Sequence, residues 1–296
     1  MWILYKVARD IVIIAVLSLL AISGYTFFNQ SHPIMMKDER NPSHTTLKYE
    51  TIDFKSTDGK ALKGWFIPST NTEPGPKPTI VVAHGLSLLK SQSLDWSYYL
   101  ADQYNLFLFD FRGHGESAPS ATTFGDKETK DLIGAVNYVK SRSEVDPTRI
   151  GVFGYDMGAS AALLAARDLP DVKAIVADSP RARLSDEFWH WFDKYSIAQQ
   201  PLSVTAQLWS IVFRGSNPYL AAPMDKIEAI KQPILLIGAD NDEFGSGATI
   251  RAMKPLLQSE NSSVWTMAGD YMTLFNGHRD EYKQKVIDFF KANLLD

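Results

Sequence analysis

The chain has no cysteine, which removes disulfides, thiolate catalysis and cysteine-ligated zinc or iron–sulfur sites from the functions open to it. It also lacks a strong excess of either charge: the formal net charge is -4, the pI is near 5.9, and no Lys/Arg-rich run provides the electrostatic footprint of a nucleic-acid binder. There is no internal repeat and no low-complexity tract. With 296 residues and 45% hydrophobic content, the chain can bury one large core.

Charge is also missing locally, in one place where its absence is informative. Ile11 to Phe28 (IVIIAVLSLLAISGYTFF) carries none and is long enough to cross a hydrocarbon core. Lys6 and Arg9 precede it, while Lys37, Asp38, Glu39 and Arg40 after it balance, so the positive-inside rule puts the N-terminus in the cytoplasm and the bulk of the chain outside. Trp2, Tyr5 and Tyr25 suit the two interfaces. Two readings stand: a retained single-pass anchor, or a signal peptide cleaved after Ala21 and Ser23, leaving a secreted protein. The apolar Tyr25, Phe27 and Phe28, continuing past that point, favour the anchor. The expected organisation is a membrane segment over 1–30, a linker over 31–45 and one domain over 46–296.

Leu47 to Phe54 and Leu62 to Ile67 alternate with period 2 around Asp58-Gly59 and predict an antiparallel hairpin. Beyond them, the continuous apolar runs TIVVAH, LFLFDF, IGVFGY, AIVAD and ILLIGA alternate with helical stretches such as Lys127 to Lys140. Strands buried on both faces imply a mainly parallel, doubly wound α/β sheet. Residues 181–232 break this rhythm and hold three of the seven tryptophans. A connection that long is usually functional, and it is expected to form a small helical lid with Trp189, Trp191 and Trp209 facing a substrate, or a helical excursion whose aromatics pack on the body.

The sharpest local signal is GYDMG, residues 154 to 158, between a strand and a helix. Gly154 and Gly158 flank position 156 as in the G-x-S-x-G nucleophile elbow, but Asp156 stands where serine is expected. Aspartate tolerates positive φ better than most residues, and a helix N-terminus favours negative charge. With VVAHG (Val81 to Gly85), DFRGHGES (Asp110 to Ser117) and FNGH (Phe275 to His278) in the same order, the chain resembles an α/β-hydrolase from about Leu47 onward. The resemblance implies that His278 is the general base, and that a carboxylate after the strand Pro233 to Ala239 orients it. Asp242 is favoured there over Asp240, with Glu243 beside them and Asp178 as an outside candidate. It also implies an oxyanion hole made by the backbone amides of Leu86 and Met157, and structural rather than chemical roles for Arg112 and His114. Ser160, one turn into the helix, cannot occupy the elbow.

A carboxylate nucleophile changes the chemistry. Attack on an ester would give an anhydride and expel a far more basic alkoxide, whereas displacement at a halide-bearing carbon or opening of an epoxide gives an ordinary alkyl ester, which water activated by His278 can hydrolyse. That is the logic of haloalkane dehalogenases and epoxide hydrolases. The framework VFGYDMGASAALLAA is more similar to bacterial serine esterases and aminopeptidase-like hydrolases with an N-terminal membrane segment. Three readings of Asp156 therefore remain: a working nucleophile acting on a small apolar substrate, a replacement that silences a serine hydrolase, or part of a non-catalytic ligand-binding protein. No metal or organic cofactor is expected.

Overall fold

The computed structural model describes residues 1–33, 40–240, 242, 246–269 and 274–295. Eight strands form one sheet: β1 (Glu50–Lys55), β2 (Ala61–Ile67), β3 (Lys77–Ala83), β4 (Asn105–Phe109), β5 (Val145–Tyr155), β6 (Val172–Asp178), β7 (Ile234–Ala239) and β8 (Ser263–Met267). Their spatial order is β1-β2-β4-β3-β5-β6-β7-β8. The β1–β2 and β2–β4 pairs are antiparallel and every later pair is parallel. This is the expected mixed sheet with an N-terminal hairpin.

The apolar runs become a central layer because alternate side chains feed two cores. Val81, Phe107, Phe109 and Val152 enter one, with the helices Glu128–Lys140, Met157–Ala165 and Ser246–Met253. Ile80, Val82, Leu106, Leu108 and Phe153 enter the other, with Lys90–Ser97 and Arg279–Leu294. Strand order reverses at β3, whose neighbours are β4 and β5, and the crevice beyond the carboxyl ends of β3 and β5 is where open α/β sheets bind ligands. Both GYDMG and the loop after VVAHG open there.

The N-terminal helix, Trp2–Gln30, is the one helix among the described residues long and apolar enough to cross a membrane. Most of it is exposed, but Ser23, Gly24 and Phe27 are buried. They pack on the insert, residues 181–232, whose longest helix is Gln199–Arg214. Phe27 joins Phe124, Phe188, Phe192, Leu202 and Ala206 in a third apolar cluster. Trp209 Nε1 donates to Ser23 Oγ (3.1 Å), and the Thr122 amide donates to the Ser31 carbonyl (2.9 Å). The division expected at residue 30 is therefore not a packing boundary, since the last turns of the apolar helix belong to the domain's own interior.

Phe27 is fully buried, so Phe27→Ala should lower the stability of the folded domain by about 3 kcal/mol. Exposed Val12→Ala should leave it unchanged. Denaturant unfolding of the two detergent-solubilised variants checks this; an unshifted midpoint for Phe27→Ala would mean that the helix is tethered rather than packed.

Candidate functional site

The elbow follows from two close approaches. A Cβ at Gly158 would lie 2.2 Å from the Ala83 carbonyl oxygen, and one at Gly154 would lie 2.4 Å from that of Gly158. Only glycine lets the helix Met157–Ala165 begin so near the end of β3. The turn between them holds Asp156 at φ 49°, ψ -109°, a conformation that costs about 1–3 kcal/mol and is fixed by its surroundings. Its amide donates to the Asp178 carbonyl (2.8 Å) and its carbonyl accepts from the Ser160 amide (3.0 Å).

The Asp156 side chain is 9% exposed and both its oxygens are engaged. Oδ2 accepts the Leu86 amide at 2.9 Å. Oδ1 lies 3.3 Å from Arg181 Nη2, and Arg181 is also 3.3 Å from Glu187 Oε2. Ser160, excluded as a nucleophile by position, instead accepts the Arg181 amide on its Oγ (3.0 Å) and so pins the cation's backbone. Burial pushes the Glu187 carboxyl up and the Arg181 charge pulls it back. The remaining cavity, lined by Leu86, Phe124, Asp156, Met157, Arg181, Leu184 and Glu187, measures about 10 Å³. That is room for roughly one water.

The loop that offers the Leu86 amide is rigid. His84 is buried, with Nδ1 2.7 Å from the Gly85 carbonyl and Nε2 accepting the Phe111 amide (2.9 Å). Desolvation holds its pKa well below the ordinary histidine value, so the ring is neutral. His114 Nε2 accepts the Ser87 amide, and Arg112 makes paired contacts with Asp131 and Asp58. The DFRGHGES turn is thus a brace, in line with the expectation for Arg112 and His114.

His278 lies just before the helix Arg279–Leu294, as FNGH suggests, and its carbonyl accepts the Tyr282 amide (2.8 Å). Its Nε2 faces the Ala268 carbonyl at 3.1 Å rather than Asp156 or Asp242. Asp242 is buried, with Oδ2 accepting the Ser246 amide (3.0 Å). Asp240 is half-exposed and paired with Arg251, and Glu243 falls outside the described residues. Asp178, the outside candidate, lies at the end of β6. It is fully buried, accepts Tyr282 Oη (2.5 Å) and Ser179 Oγ (2.9 Å), and is pushed up to about 7, chiefly by desolvation and then by the charges of Asp156 and Asp242. The structure therefore joins Asp156 to the Leu86 amide and clusters three carboxyls, with His278 turned aside.

The tryptophans divide. Trp191 packs on Phe124 and Phe188 (centroids 5.3 and 4.5 Å) and its Nε1 donates to Glu187 (3.3 Å), one residue removed from the cavity. Trp209 binds the N-terminal helix instead, and the Trp189 carbonyl accepts from Gln199. None of the three lines the cavity at Asp156. Sequence reasoning passes over Arg181 and Glu187. The signal available is the arginine pair Arg181 and Arg183 shortly after the strand that neighbours the elbow, where a buried carboxylate needs a cation.

Comparison with known proteins agrees with this architecture. A family model described as the alpha/beta hydrolase fold matches residues 78–203. The chain is 27% identical over 251 residues to the protein YfhR of Escherichia coli K12, covering 83% of this chain and 81% of that one. It is 28% identical over 233 residues to the alpha/beta hydrolase domain-containing protein WAV2 of Arabidopsis thaliana, covering 73% and 67%. A solved esterase of Pyrococcus furiosus superposes with a TM-score of 0.73 at 24% identity, covering 90% of this chain and 98% of that one.

Asp178 gives the site a measurable pH signature. Its folded pKa of about 7 lies above the unfolded value near 3.8, so between these limits the folded protein holds a proton that the unfolded chain releases. Stability contributed by this group is therefore full at low pH and lost as pH rises toward 7. The wild type should lose stability relative to Asp178→Asn from pH 4 to pH 7. A stability difference that does not change with pH would show that the proton sits elsewhere.

Proposed function

We propose that this chain, which has the α/β-hydrolase fold, is a membrane-anchored hydrolase in which Asp156 is the nucleophile. Helix Trp2–Gln30 is the anchor, the domain stands outside the cytoplasm, and the reacting group of the substrate is a small, largely apolar halide or epoxide. The supporting observation is the 2.9 Å hydrogen bond from the Leu86 amide to Asp156 Oδ2. It leaves Oδ1 as the attacking atom and holds the other oxygen on a donor that stabilises charge at the second step.

Attack by Oδ1 forms a C–O bond to the substrate carbon as the carbon–halogen bond breaks, and the halide leaves with the electron pair. The carboxylate becomes a neutral ester, and Arg181, losing its partner at Oδ1, is the nearby cation for the departing anion. With an epoxide the released oxygen stays attached as an alkoxide and takes a proton from water. Next, His278 removes a proton from a water that attacks the Asp156 carbonyl carbon. Negative charge collects on Oδ2, where the Leu86 amide donates and the Met157 amide is the proposed second donor. Collapse expels the alcohol with the proton from His278 and restores the carboxylate. The ring of His278 must first turn from the Ala268 carbonyl, with Asp242 to orient it.

One observation favours a second reading, a serine hydrolase silenced at position 156. Arg181 and Glu187 fill the space in front of the elbow, leaving about 10 Å³. Under the nucleophile reading this is a closed resting state that substrate opens.

Solvent-oxygen labelling separates the two. In a single turnover in H₂¹⁸O, with enzyme in excess over a bromoalkane or epoxide, the peptide containing Asp156 should gain one heavy oxygen and the product alcohol none. Label confined to the alcohol contradicts covalent catalysis. Ester hydrolysis that appears only in Asp156→Ser would establish the silenced serine hydrolase instead.

A further inference from the structure

The helix Gln199–Arg214 has two unlike faces and little charge. From Tyr195 to Phe213 there is no charged residue, while Lys194 and Arg214 stand at the ends. Leu202, Ser203, Ala206, Gln207 and Ser210 turn inward. On the other side Leu208, Ile211, Val212 and Phe213 are 54%, 39%, 70% and 50% exposed. Soluble surfaces rarely leave apolar side chains contiguous in this way.

What lies beside that face identifies its occupant. The N-terminal helix runs alongside in the same direction: Trp209 meets Ser23 (3.1 Å), Phe213 meets Phe28 (centroids 5.4 Å) and Arg214 meets Ser31 (3.2 Å). The exposed Val16, Leu17 and Leu20 of that helix therefore continue the strip formed by the insert. If the N-terminal helix is in lipid, the adjoining face is at the lipid surface, with Lys194 and Arg214 bounding its uncharged stretch.

The N-terminal helix and the segment of the insert just before Gln199–Arg214 line a groove of about 480 Å³, whose walls include Ala21, Ile22 and Tyr25 on one side and Trp191, Lys194 and Tyr195 on the other. Trp191 forms part of its wall and also packs on Phe124 and Phe188. The indole N–H of Trp191 binds Glu187, Glu187 pairs with Arg181, and Arg181 pairs with Asp156. A contiguous line of contacts thus runs from a groove walled by the apolar helix to the elbow carboxylate.

We propose that the outer face of Gln199–Arg214 rests on the outer leaflet of the bilayer and that the substrate is a chain-bearing amphiphile, drawn from that leaflet through this groove past Trp191. The substrate half rests on Asp156 being the nucleophile; the docking half does not.

The absence of native cysteine makes docking directly measurable. Full-length protein is reconstituted in phosphatidylcholine/phosphatidylglycerol vesicles with an environment-sensitive fluorophore at Ile13→Cys, Val212→Cys or Glu260→Cys, the last at the opposite end of the strands. Nitroxide-labelled lipid should quench the first two several-fold more than the third. A quenched Ile13 label with a Val212 label no more quenched than Glu260 overturns docking. So does a Val212 label shielded from both lipid and aqueous quenchers, which would indicate a second copy of the chain on this face. An unquenched Ile13 label would overturn the anchor reading as well. For access, turnover of an octadecyl-chain epoxide should fall in proportion as inert lipid dilutes it at constant bulk concentration. A rate that follows bulk concentration overturns entry from the bilayer. No turnover of this epoxide by protein that still turns over a short bromoalkane would overturn the substrate assignment alone, and no turnover of either would remove the nucleophile reading with it, while a quenched Val212 label leaves docking standing.

Discussion

A buried carboxylate at a tight turn has to be matched by donors and a cation, and much of the surrounding structure can be traced to that requirement. An unpaired buried charge would cost several kcal/mol. Asp156 meets it with the Leu86 amide on one oxygen and Arg181 on the other. Arg181 in turn needs a fixed backbone, supplied by Ser160 Oγ, and a second anion, supplied by Glu187. Serine at the same position would call for none of these partners. The arginine, the glutamate and the nearly filled cavity are therefore consequences of one residue choice.

The apolar helix and the elbow share a wall. Phe124 lines the cavity beside Asp156 and also packs in the cluster that buries Phe27. A movement that opens the cavity by displacing Phe124 or Trp191 must therefore work against the packing of the N-terminal helix. Under the proposed function, lipid around that helix and substrate at the elbow would act on one set of contacts, which is a physical basis for coupling membrane attachment to access.

The sheet is legible in the sequence because its central strands are buried on both faces and read as continuous apolar runs. β8, SVWTM, offers no such run: it is the edge strand, buried fully only at Met267, and the pattern alone does not reveal it. The elbow and the position of His278 are readable from spacing. Arg181 is not, because one cation in a loop has no periodicity and its meaning depends on a carboxylate brought near only by the β5–β6 pairing. The aromatic count marks 181–232 as unusual without saying which way each ring faces; Trp209 serves the N-terminal helix. Composition places the end of the apolar helix at Gln30 but does not say what its last turns meet, since Phe27 is equally apolar whether it meets lipid or Phe188.

The central claim is that a covalent bond forms at Asp156 and that His278 is needed only to break it. The direct measurement is the intact mass of His278→Gln after incubation with a bromoalkane, followed by mapping of the modified peptide. The account predicts a stable adduct equal to the substrate less its bromide, located on Asp156, with one equivalent of bromide released. Unmodified protein with no bromide released, or an adduct on any other residue, would contradict it.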